Sequence, residues 1–223
     1  MAIDFGVMEN SVFTIRNPII FLVVFVVGMA NVHAIEDTAP DQLINNLFVE
    51  INDRINKDQE KISSDKTYLI TIGDEVLSPY VSFETMAKQI LGKNWRKITP
   101  EQRVRYTEAF RQRVSVSLVS QYDPNKTYNL EVTGSRQNEQ GDRAAVSSVV
   151  TETTTGEKYN ISYKLFVDRK SKNWQVYDVV VEGVSVLQSF KTASAEDFKR
   201  NGIEYMIAQL QNSESQPEES KTQ

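Results

Sequence analysis

Residues Tyr159–Asp168 read YNISYKLFVD, with Tyr159, Ile161, Tyr163, Leu165 and Val167 alternating against Asn160, Ser162 and Lys164. Successive strand side chains point to opposite faces, so a period of two marks a strand with one apolar face. Tyr128–Thr133, Arg143–Thr153 and Asn173–Glu182 carry the same β-branched and aromatic signature. They are separated by Gly141-Asp142, Thr155-Gly156 and the Lys170-Ser171-Lys172 turn. Links this short join antiparallel neighbours. The expectation is an antiparallel meander of four strands, or five, with an apolar face that other elements must cover. In the strand Asn173–Glu182 apolar residues occupy both parities, Val176 and Val180 against Tyr177, Val179 and Val181. Alternation there does not say which set turns inward.

Upstream of the strands the period is near 3.6. After Pro40, Leu43, Leu47, Ile51 and Ile55 recur every fourth residue beside Ile44 and Phe48, which predicts a one-faced amphipathic helix. A second helix is expected over Lys66–Leu77, with Leu69, Ile72 and Val76 inward and Pro79 ending it. Ser82 can cap a short helix that Gly92 closes, burying Met86, Ile90 and Leu91. Thr99-Pro100-Glu101-Gln102 combines an N-cap threonine, a proline at the first helical position and a glutamine at the third. The helix it opens should reach Gln121, with Tyr106, Phe110, Val114 and Leu118 on one stripe. Beyond the strands, Gly183 makes a break, Ser185 can cap a further helix, and Gly202 divides it from a last one at Ile203–Leu210. Residues 212–223, NSESQPEESKTQ, lack apolar groups and are expected to form a disordered acidic tail. The order of helices, meander and helices defines an α+β class with one domain over 35–211.

The 13 residues Pro18–Ala30, PIIFLVVFVVGMA, form an apolar run after Arg16. A spanning helix needs about 20 such residues, so the run has the proportions of a signal-peptide core. Val32 and Ala34 fit a small-residue cleavage site, predicting residues 1–34 as a signal peptide and a mature start at Ile35. Asp4 is the only charge before Met8, which leaves Met1 and Met8 both open as the start. Cleavage would remove His33, the single histidine, and the chain has no cysteine. Histidine-based triads, thiolate nucleophiles and thiolate or imidazole metal sites are thereby excluded from the mature domain. Of the formal charge of −5, Asp4, Glu9 and Arg16 account for −1, leaving −4 for the remainder, the wrong sign for nucleic acid.

Several stretches resemble the MlaC family of periplasmic phospholipid-binding proteins, also called toluene-tolerance proteins. They are Leu77-Ser78-Pro79-Tyr80-Val81-Ser82-Phe83, Leu91-Gly92 with Trp95, Thr99-Pro100-Glu101-Gln102 leading to Glu108-Ala109-Phe110-Arg111, Gly141-Asp142-Arg143-Ala144, Trp174-Gln175-Val176-Tyr177-Asp178, Val181-Glu182-Gly183-Val184-Ser185, and Gly202-Ile203 with Ala208-Gln209-Leu210. They occur in order from about Gln42 to Leu210. The resemblance implies an NTF2- and cystatin-like fold and a soluble periplasmic monomer without catalysis or cofactor. Its cargo would be phospholipid, shuttled between an outer-membrane lipoprotein complex and the substrate-binding component of an inner-membrane ABC transporter, maintaining outer-membrane lipid asymmetry. Residues 122–125 and the tail match nothing in the family pattern.

A lipid site must be largely apolar. Candidates are Val81, Phe83, Met86, Ile90, Trp95, Phe110, Val114 and Leu118 from the helical half, with Tyr163, Leu165, Val176, Tyr177, Val179, Val181 and Val184 from the strands and their exit. Periodicity alone does not separate cavity lining from core at any one of them. Arg96 and Lys97 fit either a phosphate contact or a solvated turn. Two other readings stay open: a periplasmic lipoprotein chaperone, and a small NTF2-like enzyme using Tyr177 with Asp178. In the second, Asp178 and Glu182 have salt-bridging or capping as their structural alternative.

Overall fold

The computed structural model describes residues 38–212. The expected signal peptide, its cleavage site and all but the first residue of the expected tail lie outside them. Helices α1 (Pro40–Lys57), α2 (Gln59–Ser64), α3 (Tyr68–Val76), α4 (Phe83–Leu91) and α5 (Pro100–Gln121) precede β1 (Tyr128–Gln137), β2 (Arg143–Glu152), β3 (Lys158–Val167), β4 (Trp174–Val181) and the two-residue β5 (Val184–Ser185), and α6 (Val186–Asn212) follows. The five strands form one antiparallel sheet in sequence order, the meander that the short links dictate. The fifth strand is the short return after Gly183, whose φ of 81° suits a residue without a Cβ.

Local signals in the sequence place the helix ends. Thr99 Oγ1 accepts from Gln102 N at 3.2 Å while Gln102 Oε1 accepts from Thr99 N at 2.9 Å, closing the capping box. Ser82 caps α4 by accepting from Thr85 N, and Ser185 Oγ accepts from Gln188 N in the first turn of α6. Gly202, at φ 75° and ψ −176°, leaves helical geometry and bends α6 where two helices were expected. Two elements differ from expectation. Helix α2 has a single buried residue, Ile62, and so carries no periodicity. Strand β1 runs four residues past Thr133, because a register shift between Val132 and Gly134 lets the polar Ser135, Arg136 and Gln137 go on pairing with β2.

The helices divide into two groups. Helices α1 and α3 lie on one sheet face, where Leu43, Ile44, Leu47, Ile72 and Val76 pack with Ala144, Val146, Leu165 and Val176. Helices α4, α5 and α6 form a second core of Met86, Ile90, Trp95, Tyr106, Phe110, Phe190, Ile203 and Ile207 beside the β4 edge. The first group is tied by Asp58, which accepts from Arg54 Nε at 2.7 Å and Lys61 Nζ at 2.9 Å, while Arg54 also reaches Glu75 of α3 at 2.6 Å. Hydrogen bonds from Lys61 and Arg54 hold the Asp58 carboxyl down at about 2. A depressed folded pKa contributes stability above the unfolded value near 4, which is lost as pH falls through the folded one. The unfolding temperature should therefore drop between pH 4 and pH 2, and Asp58→Asn should flatten that part of a calorimetric pH series.

Asp178 ties the second group to the sheet. Its carboxylate, 1 % exposed, accepts from Lys164 Nζ at 2.8 Å, Ser185 Oγ at 2.8 Å and Leu187 N at 3.1 Å. These contacts fasten the start of α6 to β3 and β4. Asp178→Ala should destabilise the domain by about 3 kcal/mol in urea unfolding, because it leaves Ser185 Oγ and Leu187 N without their acceptor, whereas the exposed Lys164 ammonium can turn to water. Asp178→Asn keeps one acceptor oxygen and should cost less.

A half-buried apolar seam as the candidate site

The sheet register settles the parity left open in β4. Val181 pairs with Ile161, Val179 with Tyr163, and Asp178 with Lys164; then the register slips, so that Val176 pairs with Leu165 and Trp174 with Val167. Tyr177 is the extra residue of the bulge. Val179 and Val181 therefore turn inward on one side of it and Val176 on the other, so both parities contribute. The inner face reads across the strands as Ala144, Leu165 and Val176, then Val146, Tyr163 and Val179, then Ser148, Ile161 and Val181.

Beside the core under α1 and α3, a smaller core of Tyr128, Val150, Tyr159 and Ile161 occupies the far end of the same face. Four residues touch both: Tyr122 after α5, Leu130 on β1, Tyr163 on β3 and Val179 on β4. All four keep accessible surface despite that packing. Val81 plays the same part between the core under α1 and α3 and the core of α4, α5 and α6. Its isolated bridge to Val176, with Ser82 N donating to the Val176 carbonyl at 2.9 Å, pins the segment before α4 to the sheet. Along the second half of α5, Val114, Leu118 and Val119 are half-buried as well. Val81, Val119, Tyr122, Leu130, Tyr163 and Val179 form an apolar seam that is neither sealed core nor free surface.

Tyr163 makes a polar step in the seam. Burial pushes the Tyr163 hydroxyl up to about 12, opposed by its hydrogen bond with Ser148. Ser148, 2 % exposed, donates to the Ile161 carbonyl at 3.4 Å. At the far end Glu152 is 2 % exposed with Lys126 Nζ 3.6 Å away, and Tyr128 is raised to about 12 by burial and then by Glu152. Among the described residues no group of three or more acidic, cysteine or histidine side chains could hold a metal ion.

The fifteen sequence candidates fall into three sets. Val81, Tyr163 and Val179 line the seam, with Leu165 and Val176 buried beneath it in the adjacent core. Phe83, Met86, Ile90, Trp95, Phe110 and Val114 belong to the core of α4, α5 and α6, where Phe110 meets Phe83 and Phe190 edge to face at 6.3 and 5.0 Å. Leu118 and Val184 are half-buried, Val181 is buried opposite Val184 on β5, and Tyr177, packed against the core of α4, α5 and α6, is carried by the bulge to the side of Phe166, 5.9 Å away, under the guanidinium of Arg143. Tyr177 thus stands apart from Tyr163 and Val179. The carboxylate of Asp178 is engaged in anchoring α6, the structural alternative to a proton-transfer role.

Sequence reasoning missed Val119, Tyr122, Leu130 and Ser148. The alternation of Tyr128, Leu130 and Val132 carried the signal for Leu130. Tyr122 lies in a loop without periodicity, and its place depends on α2, where Gln59 bonds its hydroxyl, and on Lys66, whose ammonium sits 5.9 Å from its ring centroid. The sequence also gave no sign that Arg113 of α5 would be buried, at 5 % exposure.

A meander sheet with two helix groups packed into separate cores and an apolar seam at their borders defines an α+β protein. The chain belongs to the MlaC family, whose profile, described as MlaC protein, matches residues 45–212. The chain is similar to the intermembrane phospholipid transport system binding protein MlaC of Haemophilus influenzae, 24% identical over 184 residues covering 82% of this chain and 86% of that one. It is also similar to the toluene tolerance protein ttg2D of Pseudomonas putida, 24% identical over 164 residues, or 73% and 74% of the two chains. Among solved structures it shares its fold with a phospholipid-binding protein from Ralstonia solanacearum in complex with a phospholipid. That match has a TM-score of 0.67 at 15% identity and covers 80% of this chain and 100% of the other. The α+β meander expected from the strand alternation is thereby borne out.

Proposed function

We propose that this chain is a periplasmic phospholipid carrier without catalysis of its own, holding acyl chains along the seam and moving lipid between an outer-membrane complex and an inner-membrane ABC transporter. The observation that carries the reading is the set of apolar side chains, Val81, Val119, Tyr122, Leu130, Tyr163 and Val179, that border packed cores and still keep accessible surface. A two-chain phospholipid carries on the order of 30 methylenes at about 0.8 kcal/mol each, so leaving it bare in water costs roughly 20 kcal/mol. A carrier must enclose the tails, while the charged headgroup can stay near water, where donors and solvent satisfy it. Family membership and the names of the relatives point to the same cargo class.

The test is the bound species itself. Full-length protein, purified without detergent from Gram-negative cells, should show phospholipid masses on native mass spectrometry and a phospholipid spot on chromatography of its extract. A lipid-free protein would overturn the reading, and an acylated polypeptide as the bound species would replace it with a lipoprotein chaperone.

A further inference from the structure

The face of the sheet turned away from α1 and α3 is open to solvent over β1 and β2. Across three strands Arg136, Ala145 and Lys164 pair in one row and Gly134, Ser147 and Ser162 in the next, while Arg143 pairs with Phe166 beside the first. Gly134, Arg136, Arg143, Ala145 and Ser147 are all exposed. The three cations of this patch are engaged differently. Lys164 is committed to Asp178 at 2.8 Å. Among the described residues, the side chains of Arg136 and Arg143 form no hydrogen bond and no ion pair. They are diagonal neighbours on adjacent strands, close enough for one ligand to meet both.

Arg143 is nonetheless held in place. Its guanidinium carbon lies 5.7 Å from the ring centroid of Phe166 and 5.6 Å from that of Tyr177, and the two rings meet edge to face at 5.9 Å. Both rings are half-buried, and Tyr177 packs against the core of α4, α5 and α6, so the fold fixes the platform. Contact with aromatic rings restrains a guanidinium without supplying an oxygen acceptor, and its N–H fork stays unmet. Restraint in the unbound protein also reduces the side-chain entropy lost on binding.

A planar fork in a fixed place matches a carboxylate, which accepts two parallel N–H bonds from it. The second guanidinium calls for a second anionic group nearby. Phosphates of a bilayer surface are mobile, can follow any cation and gain little from a fork that is already oriented. A polypeptide carries its carboxylates at set spacings. The small Gly134, Ala145 and Ser147 beside the two arginines leave a flat floor on which its backbone can lie.

We propose that this face is a docking surface for an acidic polypeptide segment, with Arg143 anchoring one carboxylate and Arg136 a second. It lies on the opposite side of the sheet from the seam and stands whether or not the seam holds lipid.

The experiment titrates the isotope-labelled full chain at low ionic strength with an end-blocked tetraglutamate peptide, and in parallel with the tetraglutamine peptide, following backbone amide and arginine Nε resonances by NMR. The glutamate peptide should saturably shift the Nε signals of Arg136 and Arg143 and the amides of 143–147, and the glutamine peptide should leave them in place. Arg143→Lys keeps the charge and loses the fork, so it should weaken the glutamate peptide about tenfold. Lys158→Ala, at the far end of the same face, should bind it as wild type does. Absence of saturable shifts, or shifts that map to another part of the molecule, overturns the proposal. An affinity unchanged in Arg143→Lys overturns it too, since any point charge would then serve. Co-sedimentation with phosphatidylglycerol vesicles is the last arm. If it occurs and is lost in Arg143→Lys, the face belongs to a lipid surface and the choice of a polypeptide is overturned.

Discussion

Phe110→Ala should lower the unfolding free energy by about 4 kcal/mol and the melting temperature by about 10 °C. Phe110 is 0 % exposed, on the inward flank of α5 between α4 and α6. Its ring takes the edges or faces of Phe83 and Phe190, contacts that add to the area it buries. Truncation to alanine removes the ring and leaves a void that the surrounding residues fill poorly, because three helices converge there and each is fixed elsewhere. The capping box holds α5, Ser82 caps α4, and Asp178 anchors α6. Val104, on the same helix and 69% exposed, supplies the control, since Val104→Ala should change stability by less than about 0.5 kcal/mol. Chemical denaturation of both variants checks the pair. A loss below about 1.5 kcal/mol at Phe110 would mean that the helices close the gap and that this core is not rigid.

The same contrast between local and tertiary information explains how much could be read in advance. Strand alternation in Tyr159–Asp168 carried the meander, because a sheet with one covered face imposes its period on the residues themselves. The Thr99 to Gln102 box was legible for a similar reason: both of its hydrogen bonds lie within one turn. The bulge at Tyr177 was visible only as mixed parity. A one-residue slip and a strand buried on both faces produce the same run of Val and Tyr. The division of the helices into two groups left no local trace. Phe83 and Met86 were as eligible for a lipid surface as Tyr163, and only the packing of α4 on α5 and α6 assigns them to a separate core. Residue chemistry identified apolar material, but which apolar side chains keep accessible surface depends on long-range contacts.

Val179→Trp should reduce phospholipid recovered with the purified protein at least tenfold while leaving the urea midpoint unchanged or raised. Val179 projects from β4 beside Tyr163, borders both inner-face cores and keeps accessible surface. An indole placed there would occupy the path of an acyl chain. It would bury apolar area of its own, so the variant would resemble a carrier with its cargo built in. The stability readout decides between two pictures of the same position. If the region around Val179 were close-packed, the larger ring would force neighbours off their rotamers and cost about 1 to 3 kcal/mol. Ala145→Trp provides the companion measurement: Ala145 is exposed and pairs with Lys164 on the opposite face, so an indole there should leave lipid recovery as in wild type. Lipid lost with the fold intact at Val179, and retained at Ala145, places the tails on the inner face. Stability lost with lipid retained would make Val179 ordinary core and move the cargo to another part of the molecule.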